Sequence, residues 1–237
     1  MIIIPARLGS TRFPKKVLAE IGGVPMVVAT ARAVASVDDV AVATDAEEVL
    51  EVCKAHGVKA VMTSSEHQSG TDRINEAAAR LGLDESEIVI NVQGDEPFIE
   101  ADVVEKLKKL VHAYQNDSRV MICSVYKAIA KEDAIDPNLV KVVTDESGFA
   151  LYFSRSIIPY DRDGGFDGYK GHLGLYGYTR KMLGRFCSLP HAPLEHIEKL
   201  EQLRALSHGY AIAMTEVETK SFGIDTKEDL ERALGRY

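Results

Sequence analysis

Through its first 114 residues the chain alternates short, β-branched apolar runs with longer segments whose apolar residues recur every three to four positions, and few folds accept that rhythm. The runs at 1–4, 40–43, 58–62 and 88–92 read as strands; the stretches 24–36, 46–56, 71–81 and 101–114 read as helices. Strands apolar on both faces must be covered on both faces, which is the situation of a parallel sheet with helices above and below it. The order β-α-β-α-β-α-β-α therefore predicts an α/β fold: a doubly wound, mostly parallel, Rossmann-like sheet with right-handed crossovers. The second half breaks the rhythm. Expected strands at 119–125, 140–144, 149–154 and 173–178 follow one another with few helices between them, so an antiparallel embellishment is expected there before helices return at 196–207 and 227–234. No repeat, low-complexity tract or long linker divides the chain, and residues 1–237 are expected to form a single domain.

Chemistry concentrates where the first strand ends. Pro5 closes the run Met1-Ile2-Ile3-Ile4, and the loop that follows carries Arg7, Arg12, Lys15 and Lys16. The chain holds 28 Lys and Arg against 36 Asp and Glu, a net charge of −8, so cations gathered in one loop call for an anion among them. A basic cluster taken alone is more often solvated surface. Its place just after a buried strand shifts the reading, because ligands of open α/β sheets collect at the carboxyl ends of the strands. Neither G-x-x-x-x-G-K-[ST] nor G-x-G-x-x-G follows the strand, and the turn has only Gly9. Phosphates would then be gripped by planar Arg forks and a Lys point charge as well as by backbone N–H groups, and hydride transfer or ATP hydrolysis of the usual kinds is disfavoured.

The acidic balance and the lack of a basic stripe argue against nucleic acid or an anionic membrane as partner. No run reaches the length of a membrane span, and four apolar residues are too few for a signal-peptide core. Cys53, Cys123 and Cys187 are odd in number, far apart and free of any Cys-x-x-Cys pair, which fits packing residues in a reducing cytoplasm.

A second constellation, Asn91-Val92-Gln93-Gly94-Asp95-Glu96-Pro97, ends the fourth strand. It sets Asp95 at the same sheet edge as the basic loop, with Gly94 allowing close backbone approach. Mg²⁺ is usually held by one or two carboxylates plus substrate phosphates, a role that suits Asp95. Read as an isolated Gly-Asp, the same residues are only a turn. Asp225, in Ser221-Phe222-Gly223-Ile224-Asp225-Thr226-Lys227-Glu228, is the candidate partner carboxylate; Asp225 followed by Glu228 also reads as a helix N-cap with its capping box.

Beyond these residues the chain resembles a known family. Ile3-Ile4-Pro5-Ala6-Arg7 with Ser10-Thr11-Arg12-Phe13-Pro14, His67-Gln68-Ser69-Gly70-Thr71-Asp72-Arg73, the Asn91 to Pro97 string, Tyr152-Phe153-Ser154-Arg155, His172-Leu173-Gly174-Leu175-Tyr176-Gly177-Tyr178 and Leu194-Glu195-His196-Ile197-Glu198 occur in order. Together, and across essentially the whole chain, they resemble the 3-deoxy-D-manno-octulosonate (Kdo) cytidylyltransferases. Sugar-nucleotidyltransferases in general share the first and fourth segments, whereas the Gln-Ser-Gly-Thr and His-Leu-Gly-x-Tyr-Gly-Tyr strings point to Kdo. One departure stands out: the family commonly has Gly before the loop lysine, and here Lys15 precedes Lys16.

The resemblance implies a nucleotide-diphospho-sugar transferase-like fold and a reaction of CTP with Kdo, giving CMP-Kdo and pyrophosphate for lipopolysaccharide biosynthesis. It implies catalytic roles for Arg7, Arg12, Lys16, Asp95 and Asp225, with Mg²⁺ on the two carboxylates. CTP contacts would come from Ala6, Arg7, Arg12, Lys16, Gln68, Ser69, Gly70, Thr71 and Arg73, the last five reading cytosine from the start of a helix. Without the resemblance that segment is an ordinary Ser/Thr-rich helix start. A 2-keto acid sugar needs a guanidinium for its carboxylate, which Arg155 and Arg162 would supply, and the family pattern adds Gln93, His172, Tyr176, Glu201 and Gln202 for its hydroxyls. His172 and Tyr176, four apart on an expected strand, would share one face. The family further implies a homodimer, with residues 119–178 as a dimerisation and sugar-binding insertion. The competing readings are a cytidylyltransferase for 8-amino-Kdo or another acid sugar, and a non-catalytic nucleotide-sensing module; the presence of both Asp95 and Asp225 counts against the latter.

Overall fold

Three consecutive isoleucines that expose nothing to solvent, Ile2, Ile3 and Ile4, open the first strand, β1 (Ile2–Ala6), in the computed structural model, which describes residues 1–9, 13–224 and 226–235. The chain falls into two compact units, Met1–Glu105 with Thr219–Tyr237, and Lys106–Glu218.

In the first unit β1 leads through a 3₁₀ turn (Lys16–Leu18) to a small hairpin of β2 (Glu20–Ile21) and β3 (Val24–Pro25), closed by Gly22 and Gly23 at φ 58° and 82°. Positive φ at both central positions is what a tight hairpin turn of matching twist requires. There follow α1 (Met26–Val34), β4 (Val40–Thr44), α2 (Glu47–Ala55), β5 (Ala60–Met62), α3 (Gly70–Arg80), β6 (Ile88–Asn91) and α4 (Ala101–Tyr114), inside which the division between units falls. β1 pairs in parallel with β4 on one side and β6 on the other, Ile2 standing opposite Val40 and Ile90, and β5 pairs in parallel with β4. The order β6-β1-β4-β5 means that the chain winds outward from β1 to β5 and then returns to the far side of β1. That reversal opens a crevice beyond the carboxyl ends of β1 and β6, the place where doubly wound sheets bind ligands.

The second unit holds β7 (Val120–Ile129), α5 (Lys131–Ala134), β8 (Lys141–Thr144), β9 (Ala150–Ser154), β10 (Tyr169–Thr179), α6 (Arg180–Ser188), α7 (Pro193–Glu198), α8 (Leu203–Ser207) and β11 (Ala211–Glu216). β10 runs antiparallel to both β7 and β8, β8 antiparallel to β9, and β11 parallel to β7. The chain ends in α9 (Lys227–Leu234), which rejoins the first unit.

The α/β rhythm and the antiparallel strands match the expectation from sequence, with local corrections. Pro25 stands at the N-cap, so the helix expected over 24–36 begins only at Met26. The helix expected over 196–207 is broken in two, because Lys199 adopts a left-handed φ of 54°. Glu201 and Gln202 therefore lie in the turn between α7 and α8 and not on a helix. β11 and α6 are elements beyond those expected from sequence. Cys53 and Cys123 are buried free thiols pushed up to about 11 and about 12 by desolvation, which suits packing and not nucleophilic chemistry. Among the described residues no helix is long and apolar enough to cross a membrane.

One buried cation organises the second unit. Lys141 exposes nothing, and its ammonium donates to the carbonyls of Asp136, Leu139 and Arg155 at 2.7–2.8 Å, so all three of its protons are used. Burial pushes its pKa down, yet three carbonyl dipoles hold the charge. Lys141→Met preserves most of the stem and orphans the three acceptors, at about 1–3 kcal/mol for each that stays unsatisfied. The expected outcome in urea denaturation is a lower midpoint at unchanged m-value; an unchanged midpoint would contradict this role.

Candidate functional site

The crevice beyond β1 and β6 is a cavity of about 390 Å³. Its floor is the end of β1, Pro5 and Ala6, continuing to Arg7 and Gly9; opposite stand Gln93, Gly94 and Asp95 from the segment after β6; Lys16 and Val17 come from the 3₁₀ turn; His67, Gln68, Ser69, Gly70 and Arg73 come from the loop before α3 and its first turn. Of the nucleotide residues expected from sequence, Ala6, Arg7, Lys16, Gln68, Ser69, Gly70 and Arg73 line this one cavity, together with Gln93 and Asp95. Thr71 is buried and is not part of the lining. Arg12 and Asp225 lie outside the described residues.

Two glycines permit the close walls. A Cβ on Gly94 would approach the Pro5 carbonyl oxygen to 3.0 Å, and one on Gly70 would meet Pro5 Cγ at 3.3 Å. The loop after β6 and the start of α3 therefore both approach the end of β1 so closely that a larger residue would force the neighbouring Pro5 to give way. Ser69 caps α3: its hydroxyl oxygen accepts from the Asp72 N–H at 3.1 Å while its proton goes to Asp72 Oδ2 at 2.9 Å. Ser69 and Gly70, at the N-terminus of α3, line the cavity, and a helix N-terminus is a favourable setting for an anion.

The strongest polar contact in the cavity is an ion pair, Lys16 Nζ to Asp95 Oδ2 at 2.6 Å. Lys16 is nearly buried and Asp95 partly so, which leaves the pair less screened than a surface one. Asp95 Oδ1 has no hydrogen bond among the described residues. The two adjacent lysines separate sharply. Lys15 adopts a left-handed φ of 54°, a conformation that costs a non-glycine residue about 1 kcal/mol, and its ammonium turns to Glu48, 2.7 and 2.9 Å away. Glycine would adopt this backbone at no such cost, and Lys16 alone of the two lysines lines the cavity.

Arg73 lines the cavity but its guanidinium is spent on the protein. Nη2 donates to Asp45 Oδ2 at 2.8 Å and Nη1 to Thr63 Oγ1 at 2.6 Å, with the side chain 3% exposed, so it braces the wall. Glu76, which the sequence pattern did not single out, performs a similar task. It accepts from the Ser64 N–H at 2.9 Å, touches His67 Nε2 at 2.5 Å and pairs with Arg80 at 2.6 Å, tying α3 to the loop that carries His67 and Gln68. A His just ahead of the capping serine, with a Glu on the helix that follows, was the available signal.

The carboxylate end of α9 also differs from the sequence reading. The N-cap is Thr226, with Asp229 as the reciprocal partner of the capping box, one residue later than Asp225 and Glu228. Just before Asp225, the Ile224 N–H donates to the Asp95 carbonyl at 2.9 Å.

Within the second unit the expected sugar residues form two groups. Arg155 is fixed by its Nε–H on the Glu198 carbonyl at 2.8 Å and Nη1 on the Pro137 carbonyl at 2.9 Å, while its own carbonyl accepts from Lys141. Arg162 lies in the connection between β9 and β10. His172, Tyr176 and Gln202 cluster: the two rings have centroids 5.5 Å apart, and Tyr176 Oη donates to Gln202 Oε1 at 3.2 Å. His172 is neutral, its pKa pushed down to about 3 by burial. Glu201 pairs with Arg204 at 3.5 Å.

The Asp95 carboxylate is the kind of hard oxygen donor that divalent magnesium takes, and it lines the cavity. Among the described residues no group of three or more His, Cys, Asp or Glu could hold a metal without further ligands.

The sequence model of a cytidylyltransferase family matches residues 1–218. The 3-deoxy-manno-octulosonate cytidylyltransferase of a Nitratiruptor species is 58% identical over 232 residues, 98% of this chain and 97% of that protein. Its counterpart in Wolinella succinogenes is 57% identical over 238 residues, covering 99% and 98%. A solved CMP:2-keto-3-deoxy-manno-octonic acid synthetase complexed with CTP superposes with a TM-score of 0.92 at 39% identity, over 99% of this chain and 96% of that one. A putative glucose-1-phosphate thymidylyltransferase from Bacillus anthracis, 16% identical with a TM-score of 0.64 over 99% and 94%, shares the fold.

Glu76 gives the cavity wall an acid limit. The Ser64 N–H, followed by His67 and Arg80, lowers its pKa from 4.5 to about 2, so the contribution is complete above 4.5 and is lost as pH falls towards 2. Glu76→Gln is expected to lower stability at neutral pH and to flatten the decline between those two values in acid denaturation; an unchanged acid limb would contradict the assignment.

Proposed function

We propose that this chain, which belongs to the 3-deoxy-manno-octulosonate cytidylyltransferase family, transfers the cytidylyl group of CTP to Kdo, releasing pyrophosphate and supplying CMP-Kdo for lipopolysaccharide biosynthesis. The observation that carries the reading is the meeting of Arg7, Lys16, Asp95 and the N-terminus of α3 around one cavity at the reversal of strand order.

In this reading the anomeric oxygen of Kdo forms a bond to the α-phosphorus as the bond from that phosphorus to the bridging oxygen of pyrophosphate breaks in line; the hydroxyl proton leaves to solvent. Charge grows on the non-bridging and departing oxygens, so positioning and electrostatics carry most of the barrier. Arg7, Arg12 and Lys16 would grip the triphosphate. Gln68, Ser69 and Gly70 would read the cytosine edge with Thr71 and Arg73 supporting them, and uracil would leave donors and acceptors unpaired. Asp95 and Asp225 would hold Mg²⁺, which when bound supplies charge neutralisation at the phosphates and acidifies the sugar hydroxyl. Arg155 and Arg162 would face the sugar carboxylate, and Gln93, His172, Tyr176, Glu201 and Gln202 its hydroxyls.

The reading extends to a homodimer in the cytoplasm, one domain whose residues 119–178 serve dimerisation and sugar binding. Ile135, Leu151 and Tyr160, 70%, 62% and 82% exposed, support an apolar contact within that segment. A monomer in sedimentation equilibrium at micromolar concentration would remove this part.

The direct test is pyrophosphate release from CTP and Mg²⁺ with Kdo, 8-amino-Kdo and N-acetylneuraminate offered separately. Release with Kdo is expected; release only with the amino sugar would change the acceptor, and silence with all three would favour a nucleotide sensor. Arg155→Ala is expected to raise KM for Kdo at least tenfold, the scale of a lost charge-assisted pair, and leave KM for CTP within about twofold. Equal losses for both substrates would move Arg155 out of the sugar subsite.

A further inference from the structure

We propose that Ser124 is a positioning residue of the sugar subsite: it fixes His172 in the tautomer that offers Nδ1 as a hydrogen-bond acceptor. The inference rests on the reading of His172 as a sugar contact given above, while the tautomer itself follows from geometry alone.

Along β10 the register against β7 slips. His172 pairs with Tyr126 and Leu173 with Val125, but the next pairs are Tyr176 with Ser124 and Gly177 with Cys123. Gly174 and Leu175 are therefore extra residues, a two-residue bulge. Tyr176 takes the ladder position next to His172 on the same face, which a regular strand would give to residue 174. The bulge also brings the Leu175 carbonyl to Ser124.

Ser124 Oγ has two close partners, the Leu175 carbonyl oxygen at 2.7 Å and His172 Nε2 at 2.9 Å, and it is fully buried. A hydroxyl carries one proton, and a carbonyl oxygen can only accept. The serine proton must therefore point to Leu175, and the contact with His172 exists only if Nε2–H donates to Oγ. Burial keeps the imidazole neutral, so Nδ1 carries no proton. The ring is held edge-on to Phe153 at 4.8 Å and beside Tyr176, and Nδ1 has no hydrogen bond among the described residues.

A second atom in the same cluster awaits a ligand. Gln202 is 3% exposed, its Oε1 accepts from Tyr176, and its Nε2 is buried with no partner among the described residues. Leaving a buried amide N–H unmade is costly, which marks a place where a bound molecule completes the set. One fixed acceptor, His172 Nδ1, and one fixed donor, Gln202 Nε2, suit a polyol, since each hydroxyl donates once and accepts. With Ser124 removed, Nε2 loses its acceptor and the proton is free to move to Nδ1; the subsite would then present a donor where the sugar needs an acceptor.

The test is ¹⁵N NMR of the full-length enzyme with labelled histidine, joined to steady-state kinetics. For wild type, His172 is expected to show a protonated, pyrrole-like Nε2 and an unprotonated, pyridine-like Nδ1; a proton on Nδ1 overturns the proposal without any variant being made. Ser124→Ala is expected to shift the pair towards the other tautomer and to raise KM for Kdo about tenfold with KM for CTP unchanged, while Ser124→Thr, which keeps the hydroxyl, restores the wild-type pattern. A Ser124→Ala enzyme with the wild-type tautomer and wild-type KM for Kdo also overturns it. If His172→Ala leaves KM for Kdo unchanged while the wild-type tautomer is as stated, the placement of His172 in the sugar subsite has failed and the geometry has not.

Discussion

The contact between Lys16 and Asp95 is what the first unit is arranged around. A 3₁₀ turn after β1 delivers the ammonium, a glycine-dependent turn after β6 delivers the carboxylate, and 2.6 Å separates them at the point where strand order reverses. A cation and an anion side by side would suit the proposed substrate, a metal-bound triphosphate charged in both senses: the ammonium would serve the phosphate oxygens and the carboxylate the metal. Everything near the pair keeps it in place. Lys15 gives up its own charge to Glu48, Arg73 braces the wall through Asp45 and Thr63, and Glu76 fastens the loop of His67 to α3.

In the second unit two buried polar groups are held by backbone oxygens, Lys141 by three carbonyls and Ser124 by the Leu175 carbonyl beside His172, while the buried Arg204 pairs with Glu195. Such groups fix conformations that apolar packing alone would leave interchangeable. Arg155 illustrates the effect: its guanidinium and its carbonyl are both tied down by the protein itself.

The parallel half was legible because each strand there is buried on both faces and each helix shows its period, and α4 begins and ends at the expected residues. The cavity residues were legible for a related reason: a doubly wound sheet dictates where strand ends gather. What escaped depends on contacts distant in sequence or on single backbone angles. Lys199 in the left-handed region splits a helix whose apolar pattern runs on unbroken. The α9 cap falls on Thr226, and the sequence alone offers both Asp225 with Glu228 and Thr226 with Asp229 as cap and partner. The bulge at Gly174 and Leu175 leaves no periodic trace, and Ser124 and Glu76 gain their roles only when residues 48 and 9 positions from them fold back.

On the proposed function, Asp95 would couple nucleotide binding to the metal and Lys16 would not. Calorimetric titration of CTP into wild type, Lys16→Met and Asp95→Asn, each with and without Mg²⁺, separates the two. The expected result is that Lys16→Met weakens CTP binding in both conditions, whereas Asp95→Asn binds CTP at least as well as wild type without metal and gains nothing when Mg²⁺ is added. A full Mg²⁺-dependent gain in Asp95→Asn would contradict the account.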